Sequence, residues 1–273
     1  METKDILHTV KRIHMVGIGG SGMSPIAEIL HARGYQLTGS DVNESDNIAR
    51  LRSLRIPIFM EQKAENITGA ELVVYTAAVS PANPELTAAR DKGIPLVERA
   101  QLLGMITRRY PNTIGVSGTH GKTTTTSMIS QILLQAGMDP TLFIGGRLPL
   151  IEANGRAGSS DTMICEACEF QDHYLEMIPA VAVILNIDAD HLDYFGTLDN
   201  VIASFRKFAA RTTGTLIVNM EDENAPLAVR GLSGPRVITY GLQGDWDWTA
   251  KNVGVTDGSY GTYDLYHEGG FIA

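Results

Sequence analysis

RIHMVGIGGSGMSPIAEILHARGYQLTGSD, residues 12–41, reads as strand, glycine turn, helix and second strand. The apolar run "RIHMVGI" makes a short strand, "GGSGMSPIAEILHARG" is a glycine turn feeding a helix that stops at Gly34, and "YQLTGSD" is the next strand. Gly17, Gly19 and Gly22 fit G-x-G-x-x-G, with Asp41 at the end of the second strand. Such a turn lets backbone approach a diphosphate, whose charge is met by unpaired N–H groups and the helix dipole. An acid about 20 residues on suits a ribose hydroxyl. A dinucleotide and a UDP-sugar offer the same handles, and a turn that serves only helix–strand packing is the plain alternative.

The same grammar continues on both sides of a break. "NIARLRSLRI" reads as a helix, "ELVVYTAAV" as a strand, "PANPELTAARDKG" as a helix, and "IPLVE" as a strand before "RAQLLGMITRRY". Strands separated by helical segments imply parallel βαβ units with helices on both faces, a doubly wound sheet. Charge, proline and asparagine interrupt the pattern at "TRRYPNT", 107–113. Beyond it come a strand "TIGVSG", a helix "GKTTTTSMISQILLQAG" closed by Gly137, and a strand "TMICEA". "AVAVILNI", 180–187, is apolar but for Asn186, as a central parallel strand buried on both faces should be. A helix "LDNVIASFRKFAAR", a strand "GTLIVNM" and a tail of antiparallel strands and turns from Gly241 complete the chain. The expected fold class is α/β: a Rossmann-like, doubly wound parallel-sheet domain over residues 1–108, then a P-loop α/β domain of the ATPase type over 109–273.

At 273 residues and 44% apolar composition the chain can bury a sizeable core and suits two domains. A formal charge of −9 repels polyanions, which argues against nucleic acid and anionic membranes as partners. No apolar run approaches the roughly 20 residues that span a bilayer, and residues 1–16 lack the features of a signal peptide. The expected location is cytoplasmic. The two cysteines, Cys165 and Cys168, form a C-x-x-C pair that His173 and His191 would have to complete for zinc. Two small thiols at the end of a buried strand are the reading adopted.

A second turn, "GVSGTHGKTTTTSM" at 115–128, lies between strand and helix. The usual P-loop wants glycine where Val116 stands, so this loop is tighter. Backbone amides from Gly118 to Thr123 would cradle a triphosphate, Lys122 would contact its β- and γ-phosphates, and the Thr123 hydroxyl would ligate Mg²⁺. Further metal ligands should come from the carboxyl ends of neighbouring strands. "TMICEACE" delivers Glu166 and Glu169 there, and "VILNIDADHLD" delivers Asp188, Asp190, His191 and Asp193. The aspartates read as solvated loop residues, which leaves Glu166 and His191 as the sharper candidates.

"GIGGSGMS", "TAAVSPANPEL", "GTHGKTTTT" and "LNIDADHLD" occur in the order found in Mur ligases, which the chain resembles from about residue 11 to its tail. "GIGGSGMS" is similar to the alanine-adding branch. The resemblance implies that one turn holds the UDP of UDP-N-acetylmuramate and the other holds ATP. ATP would phosphorylate the muramoyl carboxylate, and the L-alanine amine would attack the acyl phosphate to give an amide. It further implies a UDP-sugar site of Gly17, Gly19, Gly20, Ser21, Gly22, Met23, Ser40, Asp41 and Thr76. The implied ATP site is Gly118, Thr119, His120, Gly121, Lys122, Thr123 and Thr124. Lys122, Glu166 and His191 would be catalytic, with Thr123 and Glu166 on one Mg²⁺ and Glu166 with His191 on a second.

The chain departs from the family at several points. Where many alanine-adding members read E-A-D-E-S-D this chain reads "EACEFQD", so Cys168, Phe170 and Gln171 replace residues often placed near the sugar. Some relatives carry a carbamylated lysine where the spacing here reaches Arg206, which cannot be carbamylated, with Lys207 adjacent. Family members also continue with more of the ATP domain and a third domain that positions the amino acid. The expectation is therefore a fragment with an incomplete ATP domain, which binds UDP-sugar and lacks ligase turnover alone. An NAD(P)-dependent oxidoreductase, a non-catalytic UDP-sugar-binding module and the ligase that reattaches a recycled peptide are the rival readings.

Overall fold

Gly17 ends the first strand because its φ of +78° turns the chain, and the amides of Gly17 and Ile18 both donate to the Ser40 carbonyl. The structure, a computed structural model, describes residues 6–256 and 260–273. Residues 1–5 of the amino-terminal stretch read above, and 257–259 of the tail, lie outside them. In chain order the first elements are β1 (Arg12–Val16), α1 (Ser24–Ala32), β2 (Gln36–Ser40), α2 (Asp46–Ser53) and β3 (Ile58–Phe59). They continue with β4 (Leu72–Tyr75), α3 (Pro84–Asp91), β5 (Leu96–Glu98) and α4 (Arg99–Thr107). All the strands pair in parallel in the order β3-β2-β1-β4-β5, the Rossmann-like arrangement with a switch point beside β1. Val16, Ile67, Val73, Leu86 and Ala89 pack as a buried cluster on one face of this sheet.

After these come β6 (Asn112–Ser117), α5 (Lys122–Gln135), β7 (Thr141–Leu148), β8 (Ala153–Arg156) and β9 (Thr162–Glu166). Next are β10 (Val181–Ile184), α6 (Leu192–Phe195), α7 (Leu198–Ala210), β11 (Thr215–Asn219) and α8 (Ala225–Val229). The last strands are β12 (Arg236–Gly241), β13 (Trp248–Thr256), β14 (Tyr260–His267) and β15 (Gly270–Phe271). The chain forms two compact units, Met1–Pro111 with Thr126–Cys165, and Asn112–Thr125 with Glu166–Ala273.

In the first unit β7 pairs antiparallel with β8 and parallel with β9, and α1 packs on β8. Glycine is required at position 155, since a Cβ there would lie 2.4 Å from Pro25 Cβ. In the second unit β6, β10, β11 and β12 run parallel, β12 continues parallel into β13 through two residue pairs, and β13–β14–β15 is antiparallel. β10 is shorter than its apolar run. Leu185 N still reaches Ser117 O, but Ile187 N turns away to the Asp222 carboxylate.

The helix α7 shows why these residues choose helix. Val201, Ser204, Phe205, Phe208 and Ala209 recur at helical spacing and are all buried. Phe208 stacks on Tyr174 with ring centroids 4.6 Å apart, and Gly115 in β6 leaves room for the Phe208 ring. Thr197 caps the helix by accepting from Asn200 N. Thr197→Ala is expected to lower the stability of the second unit by about 1 kcal/mol, read as a shift in its urea midpoint.

Candidate functional site

Each unit carries one glycine-rich strand-to-helix junction. In the first, the turn between β1 and α1 is tied down by its own neighbours. Gly19 N donates to Asp41 Oδ2 at 2.9 Å, while Asp41 Oδ1 accepts from Val42 N and Asn43 N. Gly20 N returns to Gly17 O, and Asn47 Nδ2 donates to Gly19 O. Asp41 therefore holds the turn in shape, and the residue read as a ribose partner has much of its accepting capacity already used. A Cβ at Gly19 would lie 2.7 Å from Ile48 Cδ1, so glycine here answers a close approach of α2.

Gly17, Gly19, Gly20, Asp41 and Thr76 line a cleft of about 620 Å³ with Asn43, Ser45, Gln62, Ser80 and Asn83. Its amides, hydroxyls and carboxamides suit a ribose and a pyrimidine edge. The remaining predicted residues fall elsewhere. Ser21 faces a neighbouring cleft of about 590 Å³ with Asn47, Arg50, Arg147 and Asn154, and its carbonyl accepts from Asn154 Nδ2 at 3.0 Å. Met23 and Ser40 are buried beneath the turn and support it. Gly22 leaves space for Arg99, the first residue of α4, whose Cδ would be 3.2 Å from a Cβ at that position. Sequence reading did not single out Arg99. Its guanidinium brings positive charge to the glycine turn.

In the second unit the loop 118–121 joins β6 to α5. Asn186, just past β10, grips it: Thr119 N donates to Asn186 O, His120 N to Asn186 Oδ1, and Asn186 Nδ2 to His120 O. Thr119 Oγ1 accepts from Asp188 N. Two of the amides read as a phosphate cradle are thus engaged by Asn186. The first-turn N–H groups of α5, at Lys122, Thr123 and Thr124, have no acceptor within the helix and carry the positive end of its dipole. His120 and Asp188 form an exposed pair at 3.7 Å.

Lys122 folds onto this loop. Its Nζ donates to Gly118 O at 2.6 Å, Thr119 O at 3.2 Å and Glu169 Oε1 at 3.0 Å. Thr123 Oγ1 donates to Glu166 Oε2 at 2.9 Å, and Ala167 N pairs with Val116 O, which sets Glu166 beside the loop. His191 falls in a second grouping, with Glu169 and Asp190. Ligand atoms of Glu169, Asp190 and His191 all lie within 4.8 Å of one another, the one such group of three His, Cys, Asp or Glu ligands among the described residues. Asp190, read as a solvated loop residue, belongs to it. Cys165 and Cys168 do not, and neither forms a disulfide.

The segment after Glu169 explains this grouping. Gln171 and Asp172 both adopt left-handed backbone, at φ of 52° and 60°, which reverses the chain and puts the Phe170 ring 4.8 Å from the His191 ring. The Asp172 carboxylate is held by Ser204 Oγ and by Tyr194 Oη, and Tyr174 Oη pairs with Ser204 Oγ at 2.9 Å. Burial pushes the Tyr174 phenol well above its usual range, and the hydrogen bond to Asp172 raises that of Tyr194. Arg206 donates to the carbonyls of Ala228 and Arg230, so it fastens α7 to the end of α8.

Among the described residues no helix is long and apolar enough to cross a membrane. Comparison with known proteins matches residues 12–111 to the model of the Mur ligase family catalytic domain, and residues 116–269 to that of the Mur ligase middle domain. The chain is 43% identical over 268 residues to the UDP-N-acetylmuramate–L-alanine ligase of Caldanaerobacter subterraneus subsp. tengcongensis, covering 97% of this chain and 58% of that protein. It is 45% identical over 260 residues to the ligase of the same name from Agathobacter rectalis, covering 94% and 56%. Its fold is similar to the crystal structure of a UDP-N-acetylmuramate–alanine ligase from Thermotoga maritima, with a TM-score of 0.83 at 28% identity, over 96% of this chain and 59% of that one. The chain thus spans 56 to 58% of the length of these two curated relatives.

Proposed function

The chain belongs to the Mur ligase family, and from that premise we propose that its two glycine turns bind the two nucleotides of an ATP-driven amide synthesis. Residues 1–108 hold UDP-N-acetylmuramate and residues 109–273 hold ATP, a division supported by the separate matches to residues 12–111 and 116–269. The amine acceptor is L-alanine, as the names of the relatives suggest. With ATP and a UDP-sugar as substrates, this reading carries a cytoplasmic location with it. A nicotinamide dinucleotide in the first turn would leave the second without a role.

The observation that carries this reading is the convergence of Lys122, Thr123, Glu166 and Glu169 at the end of β6. A muramoyl carboxylate is a poor acyl donor because its leaving group would be an oxide. One of its oxygens attacks the γ-phosphorus of ATP and ADP departs, which converts that oxygen into part of a phosphate leaving group. The uncharged amine of alanine adds to the carbonyl, the tetrahedral intermediate expels phosphate, and the amine proton passes to solvent. Lys122 and the first-turn amides of α5 hold the phosphates in line and stabilise the charge that develops on them.

The donor set fits magnesium. Thr123 Oγ1 and Glu166 Oε2 are oxygen donors 2.9 Å apart, as a hard cation prefers, and would hold one ion. A second ion would draw on Glu169, Asp190 and His191, where Glu169 Oε2 is buried and accepts no hydrogen bond. Bound there, magnesium supplies positive charge to the transferring phosphoryl group. His191 keeps its expected place as a ligand in this reading, beside Glu169 and Asp190.

Isothermal titration of the 273-residue chain tests the assignment. UDP-N-acetylmuramate and ATP should each saturate one site without displacing the other. Lys122→Ala should weaken ATP about ten- to hundredfold, the worth of hydrogen bonds to a charged group, and leave UDP-N-acetylmuramate unchanged. Absence of ATP binding, or displacement of the uridine nucleotide by NADH, would overturn it.

A further inference from the structure

Lys122 has three donors, and all three are in use on its own loop and on Glu169. The ammonium cannot reach a phosphate without giving up at least one of them. The carbonyls of Gly118 and Thr119 are neutral acceptors. Glu169 is different: its side chain is 2% exposed, against 14% for Lys122, and Oε2 lies 2.9 Å from Nζ although it accepts no hydrogen bond. A carboxylate this deeply buried depends on its cation, because an unpaired charge in the interior is costly. The pair is therefore the contact that a phosphate has to break.

Resting on the ATP assignment above, we infer that Glu169 is a positioning residue that competes with the nucleotide for Lys122. The Lys122–Glu169 pair holds the phosphate loop closed, and the triphosphate binds by taking the ammonium from the carboxylate. Glu169 then becomes available beside Asp190 and His191, whose ligand atoms already lie within 4.8 Å of its own. Arrival of the anion and release of a cation ligand are one event in this scheme.

Four chains test it: the unaltered protein, Glu169→Gln, Lys122→Ala and the double variant, each titrated with ATP in the presence of EDTA. Glu169→Gln should tighten metal-free ATP about five- to tenfold where Lys122 is present and give no gain where it is absent. An equal gain in both backgrounds would mean only that a negative charge was removed, and would overturn the inference, as would unchanged or weaker binding by Glu169→Gln. Failure of the unaltered chain to bind ATP would instead overturn the assignment of the loop. If Glu169→Gln does not fold, ¹⁵N-lysine NMR of the unaltered chain decides. Metal-free ATP should replace the coupling of the Lys122 ammonium to the Glu169 carboxylate with a coupling to phosphorus, and persistence of the carboxylate contact in the complex would refute the competition.

Discussion

Glu85→Ala is expected to destabilise the first unit by about 3–5 kcal/mol, the cost of leaving three hydrogen-bond donors without their acceptor at about 1–3 kcal/mol each. Glu85 and His14 are both 0% exposed. The carboxylate accepts from Ser40 Oγ at 2.6 Å and from Asn66 Nδ2 at 2.7 Å, and it faces His14 Nε2 at 3.3 Å. On its other side His14 Nδ1 meets Thr38 Oγ1 at 2.8 Å. A neutral imidazole protonated on Nε2 satisfies every partner: it donates to Glu85 and accepts from Thr38. Glu85 also sits in the first turn of α3, where the helix dipole favours its negative charge. Truncation to alanine leaves the buried Ser40 and His14 donors and the half-buried Asn66 donor without this acceptor, whereas Glu85→Gln keeps the shape and one acceptor and should cost clearly less. Urea unfolding of both variants measures the difference, and a loss below about 1 kcal/mol for Glu85→Ala would show that the network adds little. The effect should extend to ligand binding, because the carbonyl of Ser40 holds the amides of Gly17 and Ile18. Looser binding of UDP-N-acetylmuramate by the surviving folded protein is the accompanying expectation.

Local pattern made the framework legible, and distance in the chain hid much of the rest. The parallel order of the first sheet follows from strands of two to five residues alternating with helices, a signal contained in short windows. The hairpin of β7 and β8 is not legible in the sequence, because residues 138–161 mix glycine, proline and short apolar runs without a period. Asn186 is the residue that shapes the phosphate loop, yet it lies 66 positions from His120, and an asparagine after a buried strand has no mark of its own. Glu166 ends β9 and Glu169 lies three residues on, so spacing alone could not separate their contacts. Their division rests on the left-handed pair at Gln171 and Asp172, where the Asp172 carboxylate is anchored by hydroxyls from two distant helices. Asp41 carries a contact that spacing does not reveal. Its position suits a ribose partner, and the same carboxylate also holds the Gly19 amide, 22 residues away in the chain.

Gly118→Ala should weaken ATP binding about a hundredfold or more, equivalent to roughly 2.8 kcal/mol, with UDP-N-acetylmuramate binding intact. Gly118 has a φ of +145°, a region that side-chain-bearing residues occupy only with strain of order 1–3 kcal/mol. Space is short as well. A Cβ at this position would lie 2.9 Å from Leu185 Cβ, 3.2 Å from Asn186 N and 3.3 Å from Asn186 O, and the last two are backbone atoms that cannot swing aside. The loop would have to lift from β10, which breaks the grip of Asn186 on Thr119 and His120 and moves the Gly118 carbonyl that holds Lys122. Gly121 provides the contrast on the same loop. Its φ is +83°, but the nearest atom to an added Cβ is Leu185 Cδ1 at 3.5 Å, an ordinary contact with a flexible side-chain end. Gly121→Ala thus carries strain without a collision and should lose clearly less affinity than Gly118→Ala. Titration of both variants with ATP separates the two contributions, and a Gly118→Ala chain that binds ATP like the unaltered protein would remove the loop from the nucleotide site altogether.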